Sequence, residues 1–176
     1  ANGRTVYSFC MCPGGRVVAA TSEEGRVVTN GMSQYSRAEF NANSGLVVDI
    51  DPTRDYPGGP MAGIAYQRHW ESLAYTAGGS NYCAPGQKVA DLVAKRPSSG
   101  EFGVVEPSYK PGVLLTDLSL CLPSFVIESL REAGYAGYLI KPLRRASVVQ
   151  RILALNAPDS QTQSSALAAL AKRLQS

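Results

Sequence analysis

Histidine is nearly absent from this sequence, and cysteine is sparse. His69 is the only histidine, and there are four cysteines among 176 residues. A structural zinc site usually takes two close ligand pairs, whereas this chain offers one Cys-x-Cys pair and two isolated cysteines. A Ser-His-Asp triad would have to use His69, and the chain has no Gly-x-Ser-x-Gly elbow. The sequence therefore predicts neither a metal site nor a histidine-based nucleophile.

Long apolar runs and nucleotide-binding glycine motifs are missing as well. No stretch reaches the roughly 18 apolar residues of a membrane-spanning helix, and the start lacks a signal-peptide layout. These absences predict a cytoplasmic chain without a membrane partner. Neither Gly-x-Gly-x-x-Gly nor Gly-x-x-x-x-Gly-Lys-Ser/Thr occurs, so the sequence has no recognisable cradle for a pyrophosphate. The chain also opens without Met and runs at once into strand-like sequence, which predicts a fragment of a larger protein.

Charge divides the chain into two parts. The apolar fraction of 44% and the charged fraction of 18% are typical of a globular protein. Residues 1–134 carry 11 Lys/Arg and 13 Asp/Glu, whereas residues 135–176 carry 6 and 1. We therefore predict a domain over 1–134 and a basic tail over 135–176. The tail's charges favour a solvated face over a nucleic-acid partner.

Short β-rich segments begin the chain. Thr5–Met11, Arg16–Ala20 and Arg26–Thr29 are separated by the turn sequences CPGG and SEEGR, which predicts an antiparallel meander. The β-branched run Gly45–Ile50 predicts a buried strand.

Helical patterns follow. A helix is predicted from Pro60 to a stop at Gly78-Gly79, a shorter one over 86–96, and a third after Pro123 with Gly134 as its cap. One strand is expected within 101–118. The fold class is mixed α/β (α+β): an antiparallel sheet with packed helices and a C-terminal strand-helix-helix tail.

Three features are candidates for chemistry. Strand alternation predicts that Cys10 and Cys12 share one face, where they would be core residues or, if the face opens onto a cleft, site residues. His69 falls on the apolar face of its predicted helix, which favours a packed histidine. Asp49 and Asp51 have the spacing to hold a cation, but aspartates before proline more often start a turn.

Four segments taken together resemble a family of FAD-dependent dehydrogenases. These are flavoproteins of the two-dinucleotide type, related to the aminoacetone-oxidase-like group. The resemblance runs in order from Arg4 to Ala133 and rests on RTVYSFCMCPGGRVVAATSEEGRVVTNGMS, NANSGLVVDI, NYCAPGQKVADLV and EPSYKPGVLLTDLSLCLPSFVIESLREA.

The resemblance implies FAD as cofactor and a small molecule as substrate. It implies that this segment forms a substrate-side domain over the isoalloxazine ring, with the Rossmann fingerprint in a missing partner segment upstream. Polar residues of TNGMS and NANSG become the expected contacts of flavin or substrate: Asn30, Ser33, Asn41 and Asn43. Turn formation and capping are the alternative roles of these residues.

The C-terminal part admits two interpretations. EAGYAG (Glu132–Gly137) resembles the family's closing glycine motif, which implies that Gly134 and Gly137 approach the flavin. Residues 132–155, with Lys141-Pro142, instead resemble the end of a response-regulator receiver domain. Lys141 follows Asp117 by only 24 residues, too few for a working receiver, so phosphotransfer is not expected.

Two hypotheses of function follow. The first is part of an FAD-dependent oxidoreductase that transfers hydride between substrate and flavin. The second is a non-catalytic interaction or signalling domain related to receivers, and apolar strand edges at the junction with the tail could also lead to self-association.

Overall fold

Two antiparallel strand pairs form the N-terminal part of the fold. The computed structural model describes residues 3–133. Strand β1 (Val6–Cys12) pairs with β4 (Asn43–Val48), and β2 (Arg16–Ala19) pairs with β3 (Thr29–Met32). The predicted fold class, a mixed one with small antiparallel sheets and helices, is confirmed. The predicted meander is wrong for β1, which pairs with β4 and not with β2, whereas the antiparallel pairing of β2 with β3 is as predicted.

A bulge near the end of β1 redirects the chain away from a meander. The register between β1 and β4 shifts between Phe9 and Cys12, and Cys10 has a φ of 49°. A β-bulge bends the strand that contains it and increases its twist. The CPGG turn therefore carries the chain out of the β1–β4 pair, and β2 finds its partner in β3.

The third strand begins later than predicted. Val27 is buried, and its amide donates a hydrogen bond to the carbonyl oxygen of Glu71, 3.1 Å away. This contact draws the chain toward the helix that contains Glu71, so ladder pairing in β3 starts at Thr29 and not at Arg26. The strand predicted over Gly45–Ile50 lies two residues earlier and is only half-buried, because it belongs to a two-stranded ribbon.

Two helices follow β4. Asp51 caps the short α1 (Pro52–Asp55) by accepting hydrogen bonds from the Thr53 amide at 2.9 Å and the Thr53 hydroxyl at 2.7 Å. The turn-starting role of Asp51 is thereby confirmed. Helix α2 (Pro60–Ala77) begins and ends where proline and the Gly78-Gly79 pair predicted. His69 is exposed, so the prediction of a packed histidine is wrong.

The remaining elements surround a parallel strand pair. Strand β5 (Ala84–Gly86) pairs with β6 (Val113–Leu115), which is the strand expected within 101–118. Helix α3 (Val89–Val93) is shorter than predicted. A 3-10 turn at Leu118–Leu120 leads to α4 (Ser124–Glu132), which matches the third predicted helix.

The core lies between α2 and the second and third strand pairs. Val27, Ala84 and Tyr109 are its buried members, and Val17, Ala74, Tyr75 and Val113 pack against them. Helix α4 faces inward through Ile127 and Leu130, both buried. No helix within residues 3–133 has the length and apolar character needed to cross a lipid bilayer.

A buried ion pair anchors the β1–β4 ribbon to the helices. The Arg4 guanidinium donates to both carboxylate oxygens of Asp55, at 2.8 and 2.6 Å, and each side chain is about 95% buried. The guanidinium also stacks on the Phe125 ring of α4 at 3.7 Å. One residue on, the Thr5 amide donates to the Asp49 carboxylate. The start of β1 is therefore fixed to β4, α1 and α4 at once.

Candidate functional site

Asn43 holds the two antiparallel pairs together. Its side-chain amide donates to the Arg16 carbonyl oxygen at 3.3 Å. Its Oδ1 lies against Gly31, where a Cβ would overlap that oxygen. A side chain at position 31 would push the Asn43 amide aside, and the close approach brings β4 onto one face of the β2–β3 pair. The amide of Asn43 is therefore used within the chain.

Asn30 lies on the opposite face of the same pair. Strand alternation puts it beside Met32, and its Nδ2 is 3.7 Å from the Met32 sulfur. Asn30 is exposed, as is Ser33 just after the strand. Asn30 and Asn43 consequently do not line one common cleft.

The bulge also separates the two cysteines of the Cys-x-Cys pair. Cys12 is 8% exposed, with its Sγ 3.5 Å from the Cys10 carbonyl oxygen, whereas Cys10 is exposed. The prediction that both share a face is wrong, because the inserted bulge residue breaks the two-residue alternation. Cys12 is a core residue, and Cys10 faces solvent away from it.

Asn41 lies in a surface groove between two loops. Its Nδ2 donates to the Glu106 carbonyl oxygen at 2.8 Å and thereby ties the loop before β4 to the loop before Tyr109. The groove between these loops has a volume of about 550 Å³, within the range of small-molecule sites. It is lined by Arg16, Glu39, Phe40, Asn41, Val104, Val105, Glu106, Pro107, Ser108 and Lys110.

The groove combines an apolar rim with a few polar groups. Phe40 is 92% exposed and Val104 is fully exposed. Arg16 pairs with Glu39 at 2.6 Å on one side, and Lys110 lies on the wall. Asn41 is the predicted site residue that lines this groove. The sequence did not bring it together with the other lining residues, since the two loops are about 65 positions apart. The apolar Val104-Val105 pair within a loop-rich segment was the signal that could have been followed.

The groove suits a flat ring better than a phosphate. Exposed apolar side chains with an amide and a cation nearby can cover a ring system of flavin size. A pyrophosphate needs open glycines whose amides point outward. The CPGG turn does not supply them, since a Cβ on Gly14 would overlap the Arg37 carbonyl oxygen and one on Gly15 the Met32 carbonyl oxygen. The groove residues therefore fit the ring half of FAD, and the CPGG turn does not form a phosphate cradle.

Burial raises the pKa of several side chains in the described part of the chain. Burial raises the pKa of Tyr109, and it raises the pKa of the Cys121 thiol to about 11, so that this thiol stays protonated. Asp117 caps the 3-10 turn by accepting from the Ser119 amide at 2.9 Å. Within residues 3–133 no three His, Cys, Asp or Glu side chains converge as metal ligands would.

The remaining predicted site residues, Gly134 and Gly137, lie outside the described residues. The same holds for the cap role of Gly134, the tail over 135–176 and its receiver-like segment. The expectations for the C-terminal part and for the domain boundary near Gly134 stay predictions.

Two comparisons with known proteins bear on the site. Residues 1–136 match a family model described as FAD-dependent protein, C-terminal domain-like. An uncharacterised protein of Clostridium beijerinckii is 54% identical over 130 residues, which are 73% of this chain and 24% of that protein. The chain thus spans about a quarter of the length of this relative.

Proposed function

Because the chain belongs to the family of C-terminal domains of FAD-dependent proteins, we propose that it is the substrate-side part of an FAD-dependent oxidoreductase. The groove between the loops around Asn41 and Glu106 is the site that faces the flavin ring. The observation that carries the proposal is this open groove with an apolar rim, in a chain whose family uses FAD. The relation to aminoacetone-oxidase-like enzymes remains part of the proposal.

Each wall of the groove has a distinct task in this proposal. Phe40 and Val104 cover the ring and exclude water from it, because both present their side chains almost fully to solvent. Lys110 and the polar groups beside it orient the ring edge or a small organic substrate. The hydrogen bond from Asn41 to Glu106 keeps the walls at a fixed separation. When bound, FAD supplies the hydride chemistry at N5, and the protein supplies position and electrostatics.

The phosphate half of FAD would be held elsewhere in the whole protein. The sequence has no dinucleotide fingerprint, and backbone atoms of the chain itself occupy the space beside the glycines of the CPGG turn. We therefore expect this chain to bind a flavin without its adenosine diphosphate part about as well as it binds FAD.

Flavin fluorescence provides the test. The purified chain should quench riboflavin and FAD in a saturable way and with similar dissociation constants. Val104→Asp places a charge on the apolar rim and should weaken binding of both flavins at least about tenfold. Met61→Asp is the matched control, because Met61 is an exposed apolar residue on α2 away from the groove, and it should bind as the parent does.

Two results would contradict the proposal. Unquenched fluorescence of both flavins at high protein concentration would remove the groove as a flavin site. Equal weakening by Val104→Asp and Met61→Asp would place binding elsewhere.

A further inference from the structure

The outer face of the β1–β4 ribbon is an uncovered apolar surface. Tyr7 pairs with Val47 and Phe9 with Gly45, which puts these four residues on one face. Tyr7 is 52% exposed and Phe9 59%. The Phe9 ring lies over Gly45, since a Cβ there would be 4.0 Å from the ring's Cδ1. The ribbon therefore presents a flat aromatic face to solvent.

The two long edges of the ribbon are also open. In the described part of the chain this sheet has two strands, so each strand has one edge without a ladder partner. Natural edge strands are usually protected by charged residues or proline. The strands Val6–Cys12 and Asn43–Val48 contain neither. The bulge at Cys10 interrupts regular pairing at only one end of β1.

The ribbon is nevertheless held rigidly. Arg4, Asp55 and Phe125 fix its start to α1 and α4. Asn43 fixes its other end to β2. A two-stranded ribbon is marginal by itself, so this anchoring preserves a face that nothing in residues 3–133 covers.

We propose that the rest of the same FAD-dependent protein docks on this ribbon, with an apolar surface over Tyr7 and Phe9 and a strand along one open edge. The Clostridium relative has about four times the length matched by this chain, so in that protein the part outside the match is large enough to supply such a partner. A partner in the same chain is always present at one copy, and it makes protective charges on the edge unnecessary. Pairing between separate copies would instead favour open-ended assembly at an unguarded edge.

Hydrogen exchange at single-residue level tests the proposal on two proteins as they exist, this chain and the full-length Clostridium relative. In this chain the alternate amides of β1 and β4 that point away from the ladder should exchange within about tenfold of the unstructured rate. In the relative the aligned amides along one edge should be slowed at least about 100-fold. Amides of α4, which are paired in the helix, serve as the internal control in both proteins.

Either of two outcomes would overturn the proposal. Rapid exchange of all outward amides in the relative would mean that nothing docks on the edge. Protection in this chain that increases with its concentration would identify a second copy as the occupant. Hydrogen exchange reports on backbone amides and needs no flavin. Its result is therefore independent of the flavin titration, and either proposal can fail while the other holds.

Discussion

Large apolar side chains are buried on helix α4 but exposed on the outer face of the β1–β4 ribbon. Ile127 on α4 is 3% exposed, whereas Phe9 on β1 is 59% exposed, although both are large apolar residues in regular elements. Helix α4 packs on elements of this chain, and the outer face of the ribbon has no described element over it. The contrast places α4 in a core formed within residues 3–133, and it is the basis of the proposal that another part of the protein covers the ribbon.

The largest loss of stability should come from α4. Ile127→Ala removes a buried side chain and leaves a cavity, which should lower the free energy of unfolding by about 2–5 kcal/mol. Chemical denaturation with a fluorescence readout measures this. Leu120→Ala is the matched control because Leu120 is 59% exposed, and it should cost under about 1 kcal/mol. Equal losses in the two variants would mean that α4 does not pack as the structure has it.

The second largest effect should come from the anchor of the ribbon. Asp55→Asn keeps the shape of the side chain but removes the charge that faces Arg4, and the melting temperature at pH 7 should fall by about 5 °C. The hydrogen bond from Arg4 holds the pKa of Asp55 below its usual value. A lowered folded pKa stabilises the fold above the unfolded pKa of about 3.9, and this contribution is lost as the pH falls through the folded pKa.

The pH dependence separates this effect from a packing defect. The difference in melting temperature between the parent and Asp55→Asn should be constant from neutral pH to about pH 5 and should shrink below about pH 4. Glu101→Gln removes an exposed carboxylate and should leave the melting temperature unchanged at every pH. A difference that persists undiminished into acid would contradict the role of the Asp55 charge.

Local signals in the sequence were sufficient for α2 and α4, but they did not predict the short α1 and predicted α3 too long. Pro60 and Gly78 mark the ends of α2 through backbone restrictions that act within a few residues, and Pro123 does the same for α4. Strand pairing could not be predicted in this way. Whether β1 pairs with β2 or β4 depends on the bulge at Cys10, and the left-handed φ of that residue has no signal in the sequence.

The sequence did not indicate the groove for a related reason. Asn and Ser side chains use the same polar atoms to form turns, to join strands and to bind ligands. Residue type therefore did not distinguish Asn43, which joins two strand pairs, from Asn41, which lies in the groove. The groove itself needs two loops to meet, which is a tertiary contact. The contributions of Phe40, Val104 and Lys110 therefore emerged only with the fold.

The smallest effect on this chain should come from the outer face of the ribbon, and it sharpens the comparison with α4 most directly. Phe9→Asp exchanges an exposed ring for a charge, so it should change the free energy of unfolding by at most about 1 kcal/mol, the range of strand propensities. Val17→Asp is the contrast in a neighbouring strand, because Val17 packs against the core, and it should cost about 3 kcal/mol or more. Chemical denaturation of the two variants under identical conditions gives the two losses in free energy of unfolding, which can then be compared. If Phe9→Asp were as costly as Val17→Asp, the ring would already be covered within this chain, and the ribbon would not be a free surface. If the loss is small, the aromatic face contributes little to this chain's own stability, which is expected of a surface that another part of the protein covers.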